Sequence, residues 1–130
     1  MDAFQTPGAF SWCELMTTDP QAAATFYGKL FGWKTEAMNS AGMPYTVVKV
    51  GDAAIGGVMG IPPGAPAGMP PVWVPYVTVK DVDALVKQVT ALGGSVRMPP
   101  TDIPTVGRFA VIADPQGAAI NVIAYAMPAT

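Results

Sequence analysis

The chain repeats itself, and a repeat limits the fold more than any single motif does. Displaced by 62 residues, Asp19 falls on Asp81, Ala22 on Ala84, Leu30 on Leu92 and Gly32 on Gly94. The halves FSWCELMTTDPQAAATFYGKLFGW and VWVPYVTVKDVDALVKQVTALGGSV share one order of signals: an extended stretch, an Asp, a helical stretch, then Leu and Gly. Each half is therefore expected to fold as the same strand-helix unit.

Local chemistry fills in the unit. Phe10 to Met16 and Val72 to Val79 are rich in β-branched and aromatic residues and predict strands, with Pro75 suggesting an edge or a bulge in the second. Asp19 with Pro20 behind it, and Asp81 before Val82, predict capped helix starts. Ala23, Phe26, Tyr27 and Leu30 form one apolar stripe, and Val82, Leu85, Val89 and Leu92 form the other. Gly32 and Gly93-Gly94 supply the residue that tolerates a left-handed backbone after the last turn. Beyond the helices, Tyr45 to Val50 and Ala54 to Met59 flank Gly51-Asp52, and Arg108 to Ala113 and Ala118 to Tyr125 flank a four-residue turn, so each half ends in a hairpin. Short strands are expected near Lys34 to Met38 and Ser95 to Met98.

Each half then reads βαβββ, and the chain is expected to be one α+β domain of two modules. Residues 1–60 form the first and 72–130 the second, joined by IPPGAPAGMPP at 61–71, where five prolines and two glycines block regular structure. A helix covers one face of each four-stranded sheet and leaves the other open, so two modules side by side are expected to curl into a mixed-sheet cup with the helices outside.

Composition narrows the chemistry. At 51% apolar and 12% charged, a chain of 130 residues has material for a core and should fold. A net charge of −2 offers no basic surface for nucleic acid. Cys13 is the only cysteine, which excludes an intrachain disulfide and a Cys cluster for zinc. There is no histidine, so histidine-based nucleophile systems, proton shuttles and metal sites are excluded. MDAFQTPGAF has no basic stretch leading into an apolar run, and the apolar stretch near Ala118 to Met127 is interrupted by Asn121. A cytoplasmic protein with no membrane span is expected.

The stretches WCEL-x-TTD-x₂-AA-x₂-FYGKLFGW, YVTVKDVDALVKQVTALGG and RFAVIADPQGA resemble the vicinal oxygen chelate superfamily, which includes glyoxalase I, extradiol dioxygenases and bleomycin-resistance proteins. The combination of FY-x₂-LFGW with a late DPQGA is similar to its small glyoxalase-like members. The resemblance implies the two-module fold and, in metal-dependent members, ligands, usually His or Glu, at the start of the first strand and in the last strand of each module. Those positions here are Trp12 and Val74, Asn121, and a residue near Gly57. Trp and Val cannot coordinate, Gly offers only its carbonyl, and Asn is a weak neutral donor. No tightly bound Fe, Zn, Ni or Mn and no other cofactor is expected.

Strand alternation puts Phe10, Trp12 and Glu14 on one face, with Cys13 opposite as a packed thiol. A carboxylate beside an indole in an apolar hollow is pushed toward higher pKa, which makes Glu14 the candidate general base or ligand anchor. The plainer alternative pairs it with an Arg or with backbone donors. Arg108 can clamp an anionic group, pair with Glu14 or sit solvated at a strand end. Tyr76 can donate a phenolic hydrogen bond or pack in the core. Trp12, Met59, Val74, Asn121 and Trp33 are candidate ligand-binding residues, with Trp33 and Trp73 as either an aromatic rim or packing. Met43, Met69, Met98 and Met127 either line an adaptable pocket or fill gaps.

Four functions remain open. The favoured one is metal-independent binding of a small apolar or aromatic molecule in the cup, as in the bleomycin-resistance proteins this chain resembles. The alternative is a metal-free isomerase, epimerase or lyase with Glu14 as base and Arg108 or Tyr76 stabilising an enolate. A cup filled by its own side chains would indicate an interaction role instead. A metal-dependent glyoxalase-like enzyme with an atypical site is a further alternative. The small-molecule ligand would be the principal partner, and a homodimer is expected because superfamily members commonly form dimers.

Overall fold

Asp19 and Asp81 start the two helices as expected. Each carboxylate accepts a hydrogen bond from the backbone N–H three residues on, from Ala22 at 3.0 Å and from Ala84 at 3.1 Å. In the computed structural model, which describes residues 1–40 and 43–126, the elements are β1 (Phe10–Thr17), α1 (Pro20–Phe31), β2 (Lys34–Ser40), β3 (Met43–Val50), β4 (Ala53–Gly60), β5 (Val72–Thr78), α2 (Val82–Val89), β6 (Ser95–Ile103), β7 (Gly107–Ala113) and β8 (Ala119–Tyr125). This is the α+β order of βαβββ repeated. Among the described residues, no helix is long and apolar enough to cross a membrane. Met127 lies outside them.

By internal contacts the chain forms two compact units, Trp12–Val74 and Met1–Ser11 with Pro75–Thr130. In the first, β1 runs parallel to β4, which is antiparallel to β3, which is antiparallel to β2. Gly51-Asp52 closes the β3–β4 hairpin, with Gly51 at φ 59°, the left-handed conformation such a turn requires. Leu15, Val48 and Val58 make the core on the α1 side, with Ala23, Tyr27, Trp33 and Trp73 packed on them.

The second unit repeats the pattern: β5 is parallel to β8, then β7 and β6 follow antiparallel. Val82, Ala110 and Val122 are its core. The β5–β8 register runs from Tyr76 to Thr78, so Pro75, which has no N–H to give, precedes it. Gly8 and Ala9 bracket Thr78 with backbone hydrogen bonds of 2.8 and 2.9 Å.

Three local expectations are corrected. Phe26 and Leu30 are 60% and 59% exposed, and of the expected stripe it is Ala23 and Tyr27 that pack on the core. Leu92 is also exposed: α2 ends at Val89, and Gly94 N–H returns to the Val89 carbonyl. β6 extends to Ile103 through Pro99 and Pro100, since its ladder to β7 slips register twice and leaves room for residues that cannot donate.

Candidate functional site

The sequence provides a carboxylate on β1, and the fold supplies its partner from a strand three elements away. Register pairs Glu14 with Gly57 and Gly57 with Val47, so Trp12, Glu14, Gly57, Met59, Tyr45 and Val47 share one face of the first module's sheet. Cys13, Leu15, Gly56, Val58 and Val48 are on the other face, toward α1.

On the Glu14 face the Tyr45 hydroxyl links two of the expected site residues. The Trp12 indole Nε1–H donates to Tyr45 Oη at 2.9 Å, and that hydroxyl donates to Glu14 Oε1 at 2.8 Å. Glu14 is 8% exposed, so the bonds lie where water competes little and each donor polarises the next. A carboxylate held this way has its orientation fixed by the phenol.

Space for the phenol comes from a missing side chain. A Cβ on Gly57 would lie 2.0 Å from Tyr45 Oη and 2.2 Å from Cζ, closer than any real contact. Neither Tyr45 nor this function of Gly57 was identified from the sequence. The available signal was a glycine inside a strand, which marks close approach of another group.

The other expected site residues are placed within their own units. Met59 shares the Glu14 face, opposite Tyr45 in register. Val74 is buried at 8% exposure. Tyr76 and Asn121 face each other across the β5–β8 ladder, both 5% exposed, and the Tyr76 ring lies 6.4 Å from that of Phe109. Arg108 is committed elsewhere: its Nε and Nη2 take both Asp83 oxygens at 2.7 and 2.9 Å, and Nη1 takes Asp102 at 2.9 Å. The fork holds the Asp83 carboxyl below its ordinary pKa, chiefly through hydrogen bonding, and pushes Arg108 up. The pairing of Arg108 open in the sequence is thus with these two aspartates. Trp33 lies on the α1 side, beside Trp73.

Burial pushes the Cys13 thiol above its ordinary pKa, and the neighbouring Glu14 charge adds to the shift. Desolvation raises Tyr125 as well, against a 2.7 Å hydrogen bond with Ser11.

The metal held by some proteins of the resembled superfamily does not fit these residues. Trp12 and Val74 have no donor atom to offer, the Gly57 position is taken by a phenol, and Asn121 is neutral. Among the described residues, no three of His, Cys, Asp and Glu come together as ligands.

Comparison with known proteins matches residues 9–122 to the family described as the Glyoxalase/Bleomycin resistance protein/Dioxygenase superfamily. A Mycobacterium tuberculosis (strain CDC 1551 / Oshkosh) protein named "Putative glyoxylase CFP32" is 43% identical over 116 residues, 88% of this chain and 44% of that one. The anthracycline biosynthesis protein DauV of Streptomyces sp. (strain C5) is 38% identical over 128 residues, 89% of this chain and 46% of that one. The chain spans less than half the length of these curated relatives. A variant of methylmalonyl-CoA epimerase from Streptomyces coelicolor, solved with 2-nitronate-propionyl-CoA, superposes with a TM-score of 0.68 at 16% identity over 94% of this chain and 100% of that one. At that identity the likeness is one of fold.

Proposed function

Because the chain belongs to the Glyoxalase/Bleomycin resistance protein/Dioxygenase superfamily, we propose that it binds a small apolar or aromatic molecule without a metal ion, on the sheet face that carries Trp12, Glu14, Tyr45 and Met59. The observation that supports this reading is the Trp12–Tyr45–Glu14 hydrogen-bond chain beside Gly57, near which the resemblance implies an ion ligand in metal-dependent members. In this reading the indole and thioether give apolar contact, and the carboxylate takes a hydroxyl or N–H of the ligand. The name of the Streptomyces relative, an anthracycline biosynthesis protein, supports a polycyclic aromatic ligand class.

A thermal-shift screen of aromatic metabolites tests it, run with the protein held in excess chelator. A ligand that binds the folded state raises the midpoint, by an amount that grows with the logarithm of its free concentration once that exceeds Kd. Stabilisation that appears only when a divalent metal is restored would overturn the reading.

A second reading has its own support. A buried carboxylate oriented by a phenol suits a general base that removes a proton next to a carbonyl, as in an isomerase, epimerase or lyase. Incubation of the bound ligand in D₂O then exchanges a carbon-bound hydrogen, and Glu14→Gln abolishes exchange while sparing affinity. Exchange that persists in the variant removes Glu14 from the role.

A further inference from the structure

A cavity of about 410 Å³ opens in the first unit, Trp12–Val74, on the side of β1 away from Glu14. Its lining is Cys13, Val48 and Gly56 from the sheet, Tyr27 and Phe31 from α1, and Trp33, Ile55 and Trp73. None of these side chains is charged. The volume falls within the range of roughly 300–1,000 Å³ typical of small-molecule pockets.

The rings are set at several angles. Tyr27 and Phe31 are nearly parallel, with planes 18° apart, while Trp33 is tilted 32° from Tyr27 and 49° from Phe31. Trp73 stands across them, at 75° to Tyr27 and 78° to Trp33. A planar molecule stacked on one of these rings therefore meets others at a tilt or edge-on, so stacked and edge contacts are both on offer. The Trp73 indole N–H donates to Tyr27 Oη at 3.2 Å, which uses the one donor the indole has. At the mouth, Phe31 is 57% and Ile55 39% exposed, which gives access from solvent and leaves apolar surface that a bound ring would cover.

The geometry points to a binding site for an uncharged bicyclic or tricyclic aromatic molecule, walled by Tyr27, Phe31, Trp33 and Trp73 with Cys13 in its lining. It is distinct from the Glu14 face, because alternation along β1 sends Cys13 and Glu14 to opposite sides of the sheet. Recognition there rests on shape and ring stacking, since the lining offers no charge to pair.

The test titrates the protein with N-phenyl-1-naphthylamine, an uncharged dye that brightens in apolar surroundings, and follows energy transfer from tryptophan. Saturable binding is expected, with Phe31→Ala weakening it about tenfold or more. Phe31 is largely exposed, so its removal should leave the fold intact by circular dichroism; Ile55→Thr at the mouth serves if it does not. Bound dye should slow alkylation of Cys13, a readout that simple surface adsorption would not move. Dye affinity that falls in Glu14→Gln but not in Phe31→Ala or Ile55→Thr overturns the proposal, as does a dye that never saturates. Sedimentation decides one more outcome: if two chains associate through this cavity and the dye competes with association, its occupant is a second copy and the small-molecule site is wrong.

Discussion

The phenol of Tyr45 occupies the volume that any side chain at Gly57 would need, with the built Cβ only 2.0 Å from its oxygen. The two positions are therefore coupled through space. Gly57→Ala is expected to destabilise the protein by about 1–3 kcal/mol through overpacking, measured as a fall in the urea midpoint. In Tyr45→Ala the obstruction is gone. The double variant should then cost less than the sum of the singles, by about 0.5–3 kcal/mol in a double-mutant cycle. Additive costs would show that the clash relaxes elsewhere.

Tyr45→Phe keeps the ring and removes only the oxygen. It leaves the Trp12 N–H and the Glu14 carboxylate each short of one partner, at an expected cost of about 1–3 kcal/mol. Urea unfolding followed by tryptophan fluorescence measures this cost, and an unchanged midpoint would mean that water replaces the hydroxyl.

Two groups make stability depend on alkaline pH. Cys13 and Tyr125 have their pKa values raised by burial above the ordinary 9.0 and 10.0, so the folded state favours their neutral forms. The contribution is complete below about pH 9 and is lost as pH rises through the folded-state values. Urea midpoints should fall above that pH, and less steeply in Cys13→Ala and Tyr125→Phe. Iodoacetamide should label Cys13 only at pH values above those of an ordinary thiol, and Glu14→Gln should move that profile down by removing a neighbouring negative charge.

Arg108 is spent on Asp83 and Asp102, both exposed. Solvent screens such pairs, so Arg108→Gln should leave the urea midpoint almost unchanged. If the guanidinium is not a ligand clamp, affinity for carboxylate-bearing ligands also stays the same; a large loss, read by calorimetry, would restore that role.

Sequence and structure agree where the signal is local. The caps at Asp19 and Asp81, and the left-handed backbone at Gly32 and Gly93, depend on residues a few positions apart. The repeat made the βαβββ order legible because the same short-range signals occur twice. Agreement fails where distant strands meet. Glu14 was visible as a carboxylate on an apolar strand, but its partner Tyr45 is 31 residues away and reaches it only through the β4 register. The spacing of Phe26 and Leu30 gave a helix but could not show that, of that stripe, Ala23 and Tyr27 are the residues packed on the core.

The close approach at Gly57 also ties the fate of one position to another. A carboxylate or imidazole introduced there meets the phenol, so the Tyr45 ring must shift, or residue 45 shrink, before such a side chain is accommodated. Either change disturbs the hydrogen bonds that the hydroxyl makes with Trp12 and Glu14. Residues 45 and 57 are therefore expected to vary together rather than one at a time.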